Sequence, residues 1–178
     1  MHSTPNNPDD AVQYWISRLE ATDIGDERWL EAVEALHALG FEVIPTMIEA
    51  LANKKLSVHV GVGNALKKLG STAFYDLIEA LKHEDPSVRQ HAAQLLYGSA
   101  VRDDAQITDA VTALVQALED ADCFVRQWAA IALGAIGPAA CPAVPVLTQG
   151  LLDDVPEVRQ AASDALDAIQ ATREPPLL

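Results

Sequence analysis

Apolar residues return at helical spacing five times along this chain. Between Asp122 and Pro138, the side chains of Val125, Ala129, Ala132 and Leu133 fall on one side of a helix of 3.6 residues per turn. Five copies of this pattern align on their first core positions, which are Arg28, Val58, Val88, Val125 and Val158. Eight residues later each copy has a leucine: Leu36, Leu66, Leu96, Leu133 and Leu166. A unit that recurs along the chain predicts a repeat architecture.

A shorter apolar pattern precedes each of these helices and predicts a first helix in every repeat. The last core position of the first helix is leucine in all five copies: Leu19, Leu51, Leu81, Leu118 and Leu151. Seven residues earlier lie Val12, Ile44, Phe74, Val111 and Val144. The chain is therefore predicted to be all-α, with about five antiparallel helix pairs.

The turn residues agree with this reading. Asp85 and Asp122 stand where an N-cap is wanted, and Gly40, Gly70 and Gly137 stand where a helix ends on a left-handed residue. We expect a flexible leader at residues 1–10, one repeat domain at 11–171 and a tail at 172–178. The predicted repeats are 11–40, 41–70, 71–107, 108–137 and 138–171, with residues 101–107 as an extra loop after the third.

Composition narrows the function classes. The net charge of −14 opposes nucleic-acid binding and adhesion to an anionic membrane, both of which require a basic surface. We see no apolar run that approaches the roughly 20 residues of a membrane span, and no secretory signal. Two cysteines, Cys123 and Cys141, are too few for a disulfide framework. A cytoplasmic protein with no membrane or nucleic-acid partner is expected.

The repeat resembles a known family. Three segments carry the resemblance: Glu84–Arg89, Asp120–Arg126 and Asp153–Arg159, each with an acidic turn followed by Val-Arg. They are similar to HEAT repeats, and most to the short variety named after phycobilisome lyases. The resemblance implies a right-handed α-α superhelix with the second helices on its concave side. It also implies a ladder in which the Arg after Val pairs with the turn Asp of a neighbouring repeat. Arg89, Arg126 and Arg159 match that pattern, whereas Trp29 and His59 replace the Arg in the first two repeats.

No constellation of residues predicts an enzyme. His83-Glu84 is similar to the His-Glu pairs of a di-iron hydroxylase built on such repeats, but a two-metal site needs several pairs and this chain has one. The histidines fall at different positions of different repeats, the cysteines lack metal-site spacing, and no phosphate-binding glycine loop is present. We therefore expect no metal site and no cofactor.

The outward positions of the second helices are more informative. A solvated helix face usually carries Lys and Glu, but the middle repeats have amide and apolar groups of the kind found in interfaces. The predicted partner-binding residues are Gln90, Gln94, Tyr97, Gln127, Trp128, Ile131 and Lys67. Trp128 could equally pack between repeats. All five lysines lie within residues 54–102, so Lys67 either belongs to an ordinary solvated helix end or steers an acidic partner.

Two functions of different classes remain open. The first is a non-enzymatic scaffold that binds a protein or peptide partner on the concave face, since stacked repeats create an extended surface. The second is implied by the resemblance alone: a lyase-like subunit that attaches or removes bilin chromophores on phycobiliproteins. Oligomeric state and the identity of the partner stay open.

Overall fold

The computed structural model describes residues 7–98 and 104–171, and all regular secondary structure within them is helical. Within these described residues the chain forms ten α-helices: α1 Pro8–Glu20, α2 Glu27–Ala38, α3 Ile44–Glu49, α4 Leu56–Leu69, α5 Phe74–Ala80, α6 Pro86–Gly98, α7 Asp104–Ala117, α8 Cys123–Ile136, α9 Val144–Gly150 and α10 Pro156–Gln170. Short 3-10 segments flank the shortest helices: Phe41–Val43, Ala50–Ala52, Gly70–Ala73 and Gly137–Ala143. The prediction of an all-α fold with a first and a second helix in each repeat is confirmed.

The chain forms two compact units, divided between residues 80 and 81. The first unit contains α1 to α5, where α1 packs on α2 and α4, α2 on α4, and α3 on α4 and α5. The second unit contains α6 to α10, where α8 packs between α6 and α10 and contacts α7, while α9 packs on α10. The division falls inside the third predicted repeat. The expectation of a single domain over residues 11–171 remains a prediction.

The core positions follow the sequence stripe in both units. In the second unit Val88, Val125 and Leu133 are fully buried, and in the first unit Val58 and Leu36 are fully buried. Buried alanines, Ala92, Ala129 and Ala132, lie between these larger core residues. Their small side chains leave room for neighbouring helices to approach. Leu166 is only half-buried, although it occupies the same repeat position as Leu133.

The helix ends have the capping chemistry that the sequence indicates. The side chain of Asp122 accepts hydrogen bonds from the backbone N–H groups of Phe124 and Val125, at 2.8 and 3.2 Å. Asp85 accepts one from Ser87 N–H at 2.7 Å. Gly137 has φ of 71°, a left-handed conformation that glycine adopts without strain, so α8 ends there.

Three boundary predictions are wrong. Arg28 is exposed, and Trp29 next to it is buried with 3% of its surface accessible, so the core stripe of α2 begins one residue later than predicted. Residues 8–10 are helical and not part of a leader, because Asn7 caps α1 and Pro8 occupies its first turn. Residues 104–107, expected in a loop, form the first turn of α7. The rest of the leader, residues 101–103 and the tail at 172–178 lie outside the described residues.

The expectation about apolar runs also needs correction. The helical stretch Cys123–Gly150 has the length and mean hydropathy of a membrane span, since no charged residue follows Arg126 within it. In the structure it is two α-helices and a 3-10 segment, broken at Gly137. Val125, Ala129 and Leu133 of this stretch are buried within the second unit, and 33% of its most apolar window is buried.

Candidate functional site

Six of the predicted partner-binding residues lie on two adjacent helices of the second unit, three on α6 and three on α8. Gln90, Gln94 and Tyr97 are spaced by four and three residues, so they share one side of α6. Gln90 and Gln94 are half-buried, and 51% of the surface of Tyr97 is accessible. We call the set Gln90, Gln94, Tyr97, Gln127, Trp128 and Ile131 the amide–aromatic strip.

The aromatic members of the strip touch across the two helices. The ring centroids of Tyr97 and Trp128 lie 6.3 Å apart and their planes are tilted by 56°. This spacing is within the range of a favourable aromatic pair. Gln127, Trp128 and Ile131 on α8 are all half-buried. Trp128 therefore packs against a residue of the neighbouring repeat and remains partly accessible, and its role in partner binding stays a prediction.

The strip continues onto α10, which the sequence analysis did not include in the site. The positions equivalent to Gln90, Gln94 and Tyr97 are Gln160, Asp164 and Asp167, and all three are exposed. Gln160 Nε2 donates a hydrogen bond to Asp164 Oδ1 at 2.8 Å. An amide thus occupies the same repeat position on α6, α8 and α10. The repeat alignment alone could have identified this extension.

Close packing fixes the spacing of α8 and α10. A β-carbon added to Gly134 would lie 3.0 Å from Ala165 Cα and 3.2 Å from Ala165 Cβ. Such contacts are tighter than ordinary van der Waals contact, so a larger residue would require Ala165 to shift by a few tenths of an ångström. The two helices are therefore closely packed at Gly134.

An Arg–Asp ladder orders the turns beneath these helices. Arg89 Nε and Nη2 donate to the two carboxylate oxygens of Asp120, at 2.7 and 2.8 Å, while Nη1 donates to the carbonyl oxygens of His83 and Glu84 at 2.8 and 3.0 Å. Each arginine of this kind binds the turn before its own helix and the turn of the next repeat. The two ends of the guanidinium therefore connect consecutive repeats.

Arg126 repeats this arrangement one repeat later. Its Nε and Nη2 donate to Asp153 at 2.8 and 2.9 Å, and its Nη1 donates to the carbonyl oxygens of Asp120 and Ala121 at 2.9 and 3.2 Å. Arg159 makes the same bonds to its own turn, at 2.6 Å to the carbonyl of Asp153 and 3.2 Å to that of Asp154. The ladder implied by the resemblance is thus present at Arg89 and Arg126.

The ladder perturbs the acidity of its carboxylates. The hydrogen bond from Arg126 holds the pKa of Asp153 at about 2, below the ordinary 3.8. Burial opposes this shift, because it favours the neutral acid. At Asp120 burial likewise raises the pKa, but the hydrogen bonds from Arg89 and from the Asp122 N–H outweigh it, so the pKa is lowered. Both side chains are only 12% exposed. These acids are structural groups of the turns.

A different contact replaces the arginine in the first repeat. Trp29 Nε1 donates a hydrogen bond to the carbonyl oxygen of Ser57, which lies in the next repeat, at 3.0 Å. Asn53 Nδ2 donates to Glu20 Oε1 at 2.5 Å across the same pair of repeats. In the first unit these neutral donors, together with the Lys55–Glu20 ion pair, connect consecutive repeats where the ladder arginine is absent.

Lys67, the remaining predicted site residue, lies in the last turn of α4 in the first unit and is exposed. Its neighbour Lys68 forms an ion pair with Glu34 on α2. The last turn of a helix favours positive charge, which accounts for both lysines. Steering by Lys67 remains a prediction.

Other candidate sites offer less chemistry. A groove of about 320 Å³ lies between α7 and the 3-10 segment Gly137–Ala143 and is lined by uncharged side chains, among them Val111, Val115 and Pro142. Within residues 7–98 and 104–171 no three His, Cys, Asp or Glu side chains converge as metal ligands. The thiols of Cys123 and Cys141 are half-buried.

Solved structures similar to this chain are helical repeat proteins. One engineered protein has 25% identity and a TM-score of 0.56, covering 90% of this chain and 80% of its own. A designed armadillo repeat protein in complex with the peptide (KR)4 has 21% identity and a TM-score of 0.54, over 89% of this chain and 82% of that one. A structure from work on the structural basis of microtubule plus-end tracking by XMAP215, CLIP-170 and EB1 has 18% identity and a TM-score of 0.58, over 88% of this chain and 73% of that one.

No curated protein sequence gives a significant match to this chain. The family model of HEAT repeats matches residues 74–167, which is more than half of the chain. That segment contains the Arg89–Asp120 and Arg126–Asp153 pairs and all of the amide–aromatic strip. The repeat period, the all-helical fold and this match agree, and the chain belongs to the HEAT-repeat family.

Proposed function

We propose that this chain is a non-enzymatic interaction module that binds a protein or peptide partner on the amide–aromatic strip of its second unit. The observation that carries the proposal is the accessible Tyr97–Trp128 pair between α6 and α8. Large aromatic side chains dominate the binding energy of protein interfaces, and they lose little rotamer entropy on binding. Aromatic surface that is accessible to water is stabilised when a partner covers it, and the amides around this pair can hydrogen-bond to that partner.

The amides supply a matching polar pattern. Gln90, Gln127 and Gln160 occupy one repeat position on three consecutive helices. A side-chain amide carries both donors and an acceptor, so it can pair with the N–H and C=O groups of a peptide backbone. Neighbouring packed helices lie about 8–10 Å apart, which is close to the length of three extended residues. A row of amides at that spacing suits an extended chain laid across the helices.

The comparisons support this proposal at the level of the fold. One similar protein is a designed armadillo repeat protein solved with a bound peptide. Its identity of 21% to this chain carries the architecture only. Stacked helical repeats provide a long surface without an enclosed cavity, which suits a binding module better than an enzyme. The contact residues proposed for this chain are those of its own amide–aromatic strip, and none is transferred from the designed protein.

The test is selection of displayed random peptides on the full chain, followed by titration of the enriched peptides. We expect enriched sequences that bind the wild type and lose at least tenfold in affinity to Tyr97→Ala. The matched control is Tyr75→Ala, because Tyr75 on α5 is similarly exposed, at 52% against 51% for Tyr97. If no peptide is enriched, or if enriched peptides bind Tyr97→Ala as tightly as the wild type, the proposal fails.

A further inference from the structure

The charge on the strip is uneven, and this decides what kind of segment it fits. The outward positions of α6 and α8 carry amide, aromatic and aliphatic side chains, whereas α10 has Asp164 and Asp167 at the equivalent positions. Residues 103–178 contain 12 acidic and 3 basic residues, a net charge of −9. One end of the surface is therefore uncharged and the other is anionic.

The three arginines that the structure describes in the second unit, Arg89, Arg126 and Arg159, make their hydrogen bonds within the turns. The guanidinium of Arg89 donates to a turn carbonyl and to the carboxylate of Asp120. The guanidinium of Arg126 donates in the same way to a turn carbonyl and to the carboxylate of Asp153. Arg159 donates to the carbonyl oxygens of Asp153 and Asp154 in its own turn. Among the strip positions that the structure describes on α6, α8 and α10, none holds a lysine or an arginine.

Resting on the proposed function, we infer that the partner is an extended, basic segment. A large apolar side chain of the segment packs on the Tyr97–Trp128 pair, and a lysine or arginine four residues away pairs with Asp164 and Asp167. Charge complementarity selects a cation for this end, and the overall charge of −14 raises the local concentration of basic partners.

The spacing of four residues follows from the geometry of the two elements. The aromatic pair bridges α6 and α8, so its centre lies roughly one and a half helix spacings from α10, or about 12–15 Å. An extended chain advances about 3.3 Å per residue, and this distance therefore corresponds to about four residues. Side chains alternate in direction along an extended chain, so residues four apart point to the same side.

The test uses synthetic peptides with a central phenylalanine in a Ser/Thr/Gly background. In the first peptide lysines stand four residues from the phenylalanine on both sides, so that either chain direction is allowed. In the second peptide the lysines lie three residues from the phenylalanine. The third and fourth peptides keep the spacing of four residues, with glutamine or glutamate in place of the lysines. Affinities for the full chain are measured by fluorescence anisotropy at low and high salt.

We expect the first peptide to bind best, about two- to fivefold more tightly than the glutamine peptide for each exposed ion pair formed. Moving the lysines to three residues should remove the gain. Asp164→Asn with Asp167→Asn should reduce the first peptide to the affinity of the glutamine peptide. The control is Asp109→Asn with Glu119→Gln, which changes the net charge equally at exposed positions away from the strip.

Three outcomes would overturn the inference. If the glutamine or glutamate peptide binds as tightly as the lysine peptide, and Tyr97→Ala abolishes that binding, the strip binds peptides but has no preference for cations. If no peptide of this design binds, the inference fails, whereas the proposed function is decided by the selection of displayed random peptides. If the chain self-associates in sedimentation and Tyr97→Ala abolishes the association, the occupant is a second copy.

Discussion

Arg126 joins two consecutive repeats through Asp153: Nε and Nη2 meet the two carboxylate oxygens at 2.8 and 2.9 Å. The same guanidinium donates through Nη1 to the carbonyl oxygen of Asp120 at 2.9 Å. Asp153 Oδ1 also accepts from the N–H of Val155 at 2.9 Å, so the carboxylate closes its own turn while it receives the arginine. Because one carboxylate makes both sets of hydrogen bonds, protonation of Asp153 should weaken the turn and its link to Arg126.

Acid should therefore weaken the second unit through Asp153. Its pKa in the folded chain is about 2, below the ordinary value of 3.8. A lowered folded pKa gives stability that is complete above pH 3.8 and is lost as the pH falls toward 2. Asp153→Asn should lower the free energy of unfolding by about 2 kcal/mol at pH 7 and by much less near pH 2. Urea denaturation at several pH values measures this difference.

Asp154→Asn is the control for that experiment. Asp154 accepts a hydrogen bond from Arg126 Nη2 at 3.1 Å, but its side chain is 87% exposed. Exposed ion pairs contribute little, so this variant should unfold nearly as the wild type does at every pH. Equal losses in the two variants, or an Asp153→Asn effect that persists at pH 2, would exclude the buried pair as the cause.

Equivalent leucines should differ in their contribution to stability. Leu133 is fully buried on α8 with helices on both sides, whereas Leu166 on α10 is half-buried. Leu133→Ala should cost about 2–5 kcal/mol from lost burial and the cavity left behind. Leu166→Ala should cost less, because water already reaches part of that side chain. Chemical denaturation of the two variants measures both losses, and equal values would contradict the difference in burial.

Gly134 should resist replacement by alanine. In an exposed helix interior this change would stabilise by about 1 kcal/mol. Here the new β-carbon would meet Ala165 Cα at 3.0 Å, and backbone atoms cannot rotate away. Overpacking costs about 1–3 kcal/mol and is offset in part by the gain of about 1 kcal/mol, so we expect a net destabilisation of up to about 2 kcal/mol. The second replacement Ala165→Gly should restore part of the loss, and a Gly134→Ala chain more stable than the wild type would show that α8 and α10 separate freely.

Much of the fold could be predicted from the sequence because the repeat carries the same physical signals five times. The stripe of Val, Ala and Leu predicts the buried faces, and Gly137 with its φ of 71° ends α8 where expected. The alignment was wrong at Arg28, because it assumed that the first core position of α2 lies at the same repeat position as in the other four repeats. Burying an unpaired guanidinium costs far more than burying an indole, so the helix places Trp29 in the core.

The site was less predictable for a related reason. Tyr97 and Trp128 occupy different positions in their repeats, so the sequence pattern alone does not show that their rings meet. The bond from Trp29 to the Ser57 carbonyl also depends on how far an indole reaches across two helices. Asp164 and Asp167 were overlooked because acidic residues on an outer helix usually indicate only a solvated surface. Their equivalence to Gln94 and Tyr97 was the available signal.

The central claim is that the amide–aromatic strip binds the partner, and Tyr97 tests it most directly. Tyr97→Ala removes an exposed ring, so helicity and the unfolding midpoint should stay near those of the wild type. Isothermal titration with a selected peptide should show a loss of about 2 kcal/mol or more for Tyr97→Ala, as for an interface hot spot. Tyr75→Ala should bind as the wild type does. Unchanged binding by Tyr97→Ala would contradict the claim, and weakened binding by Tyr75→Ala would place the partner on the first unit.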